Sequence, residues 1–205
     1  MIRLYEVPWS TNVERVLLAC GHKGIPLQHV VVPNDDRSQV RAASGQDLVP
    51  VIEHDGNVVH DSPRILEYLE ERFPDPPLYP HDPARRAELR AFIDWFNRVW
   101  KRPPNVIAAE LDGGSPDADR VATLGVEMKA SLDLFADLLR GRPFLWGSTL
   151  SAADCIAYPF LKYAVARDPA DRETFHLVLE EHLPLGPAHG PIRDWIERVG
   201  ALPRS

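Results

Sequence analysis

Val49-Pro50-Val51-Ile52-Glu53-His54-Asp55-Gly56-Asn57-Val58-Val59-His60-Asp61-Ser62-Pro63 decides the reading of this chain. Val49 to Glu53 and Asn57 to His60 are β-rich runs, and the Asp55-Gly56 pair between them is a strong signal for a two-residue hairpin turn. Pro50 cannot donate to a ladder, so its place inside the first run needs a reason. A cis Val49-Pro50 bond at a sheet edge supplies one: it turns the backbone N–H and C=O of Val49 outward, where an extended peptide can pair with them. Asp61-Ser62-Pro63 reads as a helix start, with Asp61 or Ser62 as cap, Pro63 in the first turn and apolar Ile65, Leu66 and Leu69 after it. A helix N-terminus carrying an acceptor and a hydroxyl suits a small carboxylate or amine. Together these features point to a site for a short zwitterionic peptide.

Upstream, Ile2, Leu4 and Val7 mark a short strand ended by Pro8. Ser10-Thr11-Asn12 then opens a helical spacing of Val13, Val16, Leu17 and Cys20, closed by Gly24 and Pro26. Leu27 to Val32 is a valine-rich strand, and a weak helix around Ser38 to Ala43 follows a charged loop. The order is β-α-β-α-β-β-α, with the first two strands parallel through a right-handed crossover and the last two an antiparallel hairpin. That is a thioredoxin-like domain with a mixed sheet of about four strands, expected over residues 1–75.

Prolines 74, 76, 77, 80 and 83 mark a linker, 76–84. From 85 to 205 the apolar period is helical throughout. Leu89, Phe92, Ile93, Phe96 and Trp100 share one helix face, which Pro103-Pro104 must end or kink. Leu124, Met128, Leu132, Phe135 and Leu139 form a second face. Ser151-Ala152-Ala153-Asp154 is a capping box ahead of Ile156–Leu161, a run apolar almost all round and so central. Ile192, Trp195, Ile196 and Val199 form a last helix.

The chain has 205 residues, 44% hydrophobic and 26% charged, with a net charge of −7 and no basic stripe, which argues against nucleic acid. No signal-peptide pattern or membrane-length apolar run is visible, so a cytoplasmic protein with no membrane partner is expected. Cys20 and Cys155 read as buried hydrophobes, and the eight histidines show no ligand spacing, so no metal site is expected.

The sequence of features strand, Val49-Pro50, strand, hairpin, Asp61-Ser62, helix resembles the N-terminal domain of the glutathione transferases, and Gly147 with Ser151 and Asp154 resembles the buried cap of their helical domain. Pro8-Trp9-Ser10-Thr11-Asn12-Val13-Glu14-Arg15-Val16 is similar to the serine-type members, phi-like and bacterial. The resemblance implies glutathione as co-substrate, Ser10 as donor to its sulfur, Val49 pairing with its cysteinyl backbone, and Asp61 and Ser62 holding the γ-glutamyl amine and carboxylate. Thr11 and Asn12 remain alternatives to Ser10 as cap or donor. The chemistry fits: a free thiol with a pKa near about 8.5 is mostly protonated at neutral pH, and a hydroxyl at a helix N-terminus lowers that value. One departure stands out. The family often has Lys or Gln two residues before the proline for the glycyl carboxylate; here it is Leu48, and Gln46 would have to reach over. The resemblance further implies a homodimer and an electrophile pocket between the domains lined by the long helix near Trp95, Arg98 and Trp100. The expected function is a glutathione S-transferase acting on a small apolar electrophile. The alternatives are a glutathione-dependent isomerase of the maleylacetoacetate type and a non-catalytic binding or regulatory module.

Overall fold

The computed structural model describes residues 1–205. Two compact units divide it: Met1–Pro83 together with Leu202–Ser205, and Ala84–Ala201.

In the first unit four strands lie in the order β2-β1-β3-β4. β1 (Ile2–Glu6) is parallel to β2 (Leu27–Val31), with Ile2 opposite Leu27 and Glu6 opposite Val31. β3 (Val51–His54) is antiparallel to β1, and β4 (Asn57–His60) to β3. The alternation of β1 feeds both faces. Tyr5 packs with Val32, Val40 and Val51 beneath α2 (Ser38–Ser44), while Leu4 and its partner Ile52 are fully buried on the opposite face. Each such aliphatic burial stabilises by about 1.5–3 kcal/mol. The crossover helix α1 (Thr11–Lys23) stops at Gly24, whose φ of 64° lets the Gly24 and Ile25 amides bond back to Gly21 and Cys20. The β3–β4 turn has φ of 49° at Asp55 and 78° at Gly56, the left-handed pair that a two-residue hairpin demands. Helix α3 (Ser62–Arg72) packs on α1. The Val49-Pro50 bond is cis, as expected from the sequence, and so is Asp75-Pro76.

A buried ion pair that the sequence does not advertise fixes the end of this unit. The Lys23 amine bonds Glu70 at 2.9 Å and the carbonyls of Phe73 and Pro76 at 2.6 and 2.8 Å. Glu70 also accepts the amides of Leu78 and Tyr79. The turn that follows α3 is thus held by charge as well as by the buried Leu78 and Tyr79 side chains.

The second unit is helical: α4 (Pro83–Trp95), α5 (Arg102–Asp112), α6 (Ala118–Leu138), α7 (Ala152–Leu161), α8 (Thr174–His182) and α9 (Gly190–Gly200). Between α4 and α5 the chain runs through a π turn, Phe96–Trp100, closed by the Lys101 amide on the Phe96 carbonyl at 3.0 Å. Pro103 and Pro104 have no N–H to give to Val99 and Trp100, so the regular ladder fails there and the helix widens instead of stopping. Every residue of α7 is buried. Its cap is a hub: Asp154 accepts from the Ser151 amide and hydroxyl, the Leu145 amide and the Trp195 indole, all at 2.7–2.9 Å. Burial pushes the Asp154 carboxyl up, against the opposing pull of these four donors.

The two units divide between Pro83 and Ala84, and the last four residues fold with the first unit and not with the helices. The reason is local. The Ser205 amide bonds the Leu17 carbonyl and its hydroxyl the Ile25 carbonyl, and Gly21 leaves room for Pro203. No helix is long and apolar enough to cross a membrane.

Candidate functional site

Sheet register gathers the expected site residues. Val51 pairs with both Tyr5 and His60. The end of β1, the start of β3 and the end of β4 therefore share one end of the sheet, and the chain leaves that end at Pro8–Ser10, Val49–Pro50 and Asp61–Ser62. Three segments distant in sequence become one locus.

Ser10 is the N-cap of α1, and its Oγ accepts from the Val13 amide at 3.3 Å. A hydroxyl that accepts with a lone pair still has its proton to give. Ser10 can thus donate to an anion while the first-turn amides add positive potential. Thr11 is the first helical residue and is buried, and Asn12 is half-buried; the cap itself falls to Ser10. Trp9 sits at φ of 65°, in the left-handed region that non-glycine residues rarely adopt, and is 43% exposed. Nothing in the sequence marks that conformation.

Asp61 occupies the N-cap position of α3, but its side chain makes no capping bond, contrary to one of the two capping roles read from the sequence. Its φ of 71° turns it out of the geometry in which a carboxylate reaches the first-turn amides, and it is exposed. The carboxylate is left available to an external cation. Ser62 is buried and its Oγ accepts from Arg15 Nη1 at 3.1 Å. Guanidinium can only donate, so Ser62 keeps its own proton for an acceptor. Arg15, 1% exposed, is the residue that sequence reasoning missed. Its place on the inner face of α1, between Val13 and Val16, was the available signal: a charge amid a core stripe is there for a partner.

Pro50 is buried, and Val49 packs at the edge of the Tyr5–Val40 cluster. Leu48 is 77% exposed. The Gln46 side chain is engaged at home: its amide nitrogen bonds the Leu48 carbonyl at 2.8 Å and Ser44 Oγ at 3.0 Å, and its oxygen accepts the Leu48 amide. It braces the loop ahead of Val49. In the second unit Trp100 is a core ring stacked on Phe96 at 4.4 Å, with its indole on Ser131, while Arg98 is exposed and Trp95 half-buried.

Comparison with known proteins bears on the same two halves. Residues 4–77 match the glutathione S-transferase N-terminal domain, and residues 62–198 the glutathione S-transferase C-terminal domain. The architecture, a thioredoxin-like sheet domain followed by an all-helical domain, is that of the cytosolic glutathione transferases. The chain belongs to the glutathione S-transferase family. It is 29% identical over 175 residues to a maleylpyruvate isomerase of a Ralstonia species, covering 80% of this chain and 82% of that one. It is 28% identical over 166 residues to FtsZ-localized protein A of Caulobacter vibrioides, covering 75% and 73%. A solved glutathione S-transferase of Rhodospirillum rubrum superposes with a TM-score of 0.69 at 27% identity, over 94% of this chain and 91% of that one.

Proposed function

We propose that the protein is a glutathione S-transferase in which Ser10 stabilises the glutathione thiolate for attack on a small apolar electrophile. The observation that carries this is the Ser10 hydroxyl at the head of α1, which accepts from the Val13 amide and can still donate, at the same end of the sheet as Val49–Pro50 and Asp61–Ser62. In this reading Val49 pairs with the cysteinyl backbone, the exposed Asp61 meets the γ-glutamyl ammonium, and Ser62, held by Arg15, donates to the adjacent carboxylate. Leu48 offers no charge to the glycyl carboxylate, and Gln46, already bonded to its own loop, would have to release it to serve there. Thr11 and Asn12 act through their helix position.

Ser10→Ala tests the reading. Turnover with a general electrophile should fall about tenfold to a thousandfold, as expected for one lost donor to a developing anion, with little change in glutathione affinity. Unchanged turnover would remove Ser10 from the chemistry.

The similarity to a maleylpyruvate isomerase over four-fifths of both chains favours a second reading with the same thiolate. The sulfur would add to a substrate double bond, the new single bond would rotate, and elimination would return the thiolate. The product then carries no glutathione, so mass analysis of products separates isomerase from transferase. The similarity to FtsZ-localized protein A keeps the binding-module reading in view, and retention on immobilised glutathione without turnover would favour it. The protein is placed in the cytoplasm and as a homodimer in this reading.

A further inference from the structure

The segment Leu202–Ser205 lies along the helix that carries Ser10. The Ser205 amide bonds the Leu17 carbonyl at 3.3 Å, Ser205 Oγ bonds the Ile25 carbonyl at 2.5 Å, and Arg204 Nη2 meets Glu14 Oε1 at 3.3 Å. Gly21 makes the berth. A Cβ at this position would stand 2.2 Å from the Pro203 carbonyl oxygen, a clash of backbone that no rotamer relieves. A glycine weakens a helix interior relative to alanine, so the berth is maintained against the helix's own preference.

Glu14 is the acidic residue in the first turn of α1, and its amide bonds the Ser10 carbonyl. Glu14 therefore lies one helical turn from Ser10, close to the end of α1 where a thiolate would form. An unneutralised carboxylate there opposes a second anion. Arg204 stands against it, and both side chains are three-quarters or more buried, where screening by salt is weak. Other charged groups lie on or beside α1. Arg15 is turned to Ser62, Lys23 and Glu70 pair at the far end, and Asp61 heads α3.

We propose that Leu202–Ser205 is a functional brace on α1 and that Arg204 is a positioning residue, which lowers the pKa of the thiol bound at Ser10 by holding and neutralising Glu14. This rests on the reading of Ser10 as the thiol site. The test is the pH dependence of kcat/KM for glutathione with a general electrophile. Arg204→Gln should move the acid limb upward by about half a pH unit, the effect of one charge at roughly 10 Å in a medium of intermediate dielectric. The KM for glutathione should change little. Arg204→Lys should restore the wild-type profile, and so should Glu14→Gln placed on top of Arg204→Gln. Gly21→Ala, which evicts the segment by sterics and leaves every charge in place, should reproduce the upward shift. A profile for Arg204→Gln that superimposes on the wild type, or a shift that Glu14→Gln does not reverse, overturns the proposal. Wild-type protein that neither binds nor turns over glutathione overturns the site reading itself. Hydrogen exchange decides the docking without any thiol: protection of α1 must drop in Gly21→Ala, and unchanged protection rejects the brace.

Discussion

At the residue scale, what matters is where each polar atom spends its bonds. Ser10 and Ser62 both accept from protein donors and keep a proton for something else; Gln46 has committed its whole amide to its own loop. In the proposed reading, Leu48 offers no charge to the glycyl end of the tripeptide. Leu48→Lys should lower the KM for glutathione severalfold with kcat unchanged, since a rim charge adds uniform binding of about 1 kcal/mol; steady-state kinetics at two salt concentrations would check it, and an unaltered KM would place the glycyl carboxylate elsewhere. Cys20 is a second residue-scale case. It is fully buried, and burial pushes its thiol up to about 12, only partly countered by Lys23. Native protein should resist a thiol-specific reagent at about pH 8, where a free thiol near 8.5 reacts readily. Both cysteines should label on denaturation, and rapid labelling of the native state would contradict the packing.

At the scale of elements, capping explains more than propensity. The Ser151–Asp154 box was visible in four letters of sequence, but its reach to Leu145 and Trp195 was not, because those donors arrive from 9 and 41 residues away. Helix α8 shows the opposite failure. Its apolar residues Phe175, Val178 and Leu179 have helical spacing, yet the flanking polar stretch hides its start. The fixed point is Asp171, which binds the Glu173 amide, the His176 ring at 2.8 Å and the Tyr163 hydroxyl at 3.1 Å. Burial alone would raise the Asp171 carboxyl, but the bonds from His176, Glu173 and Tyr163 outweigh it and hold it below its ordinary value. A depressed folded-state pKa contributes stability that is fully present above the unfolded value near about 3.9 and is lost as pH falls through the folded one. Asp171→Asn should therefore be less stable than wild type at about pH 7, and the gap should close below about pH 4. Denaturant unfolding at several pH values measures this; a gap that widens on acidification would reverse the sign and the explanation.

At the scale of the whole molecule, the open question is what covers the apolar side chains left at the surface. Tyr68 on α3 and Phe92 and Trp95 on α4 are the aromatic candidates. Phe92 is buried within its own unit, packed against Phe96, Phe135 and Trp146, so it does not count. Tyr68 and Trp95 are half-buried, with the Tyr68 hydroxyl on His54. Helix α6 adds a stripe that the sequence reading passed over: Ala122, Val126, Ala130 and Leu134, spaced by four, with Val126 69% and Leu134 43% exposed. A homodimer would cover such surface. Light scattering at micromolar concentration should give twice the 23.1 kDa of one chain, and a single-chain mass would reject the dimer.

Local chemistry was enough for what local chemistry controls. Pro50, the Asp55-Gly56 turn, the Ser10 cap, the Gly24 stop and the Ser151 box each follow from φ/ψ limits or from one side chain meeting one nearby amide, and they placed the strands, most helices and the segments of the site. Tertiary structure decided every pairing that closes over long separations. The β1–β3–β4 register brought Ser10, Val49 and Asp61 to one end of the sheet. Arg15 found Ser62 across 47 residues, Lys23 found Glu70 at the same separation, and Arg204 found Glu14 across 190. A buried charge takes whatever partner the packed chain presents, so its sequence neighbours carry no record of which one that will be.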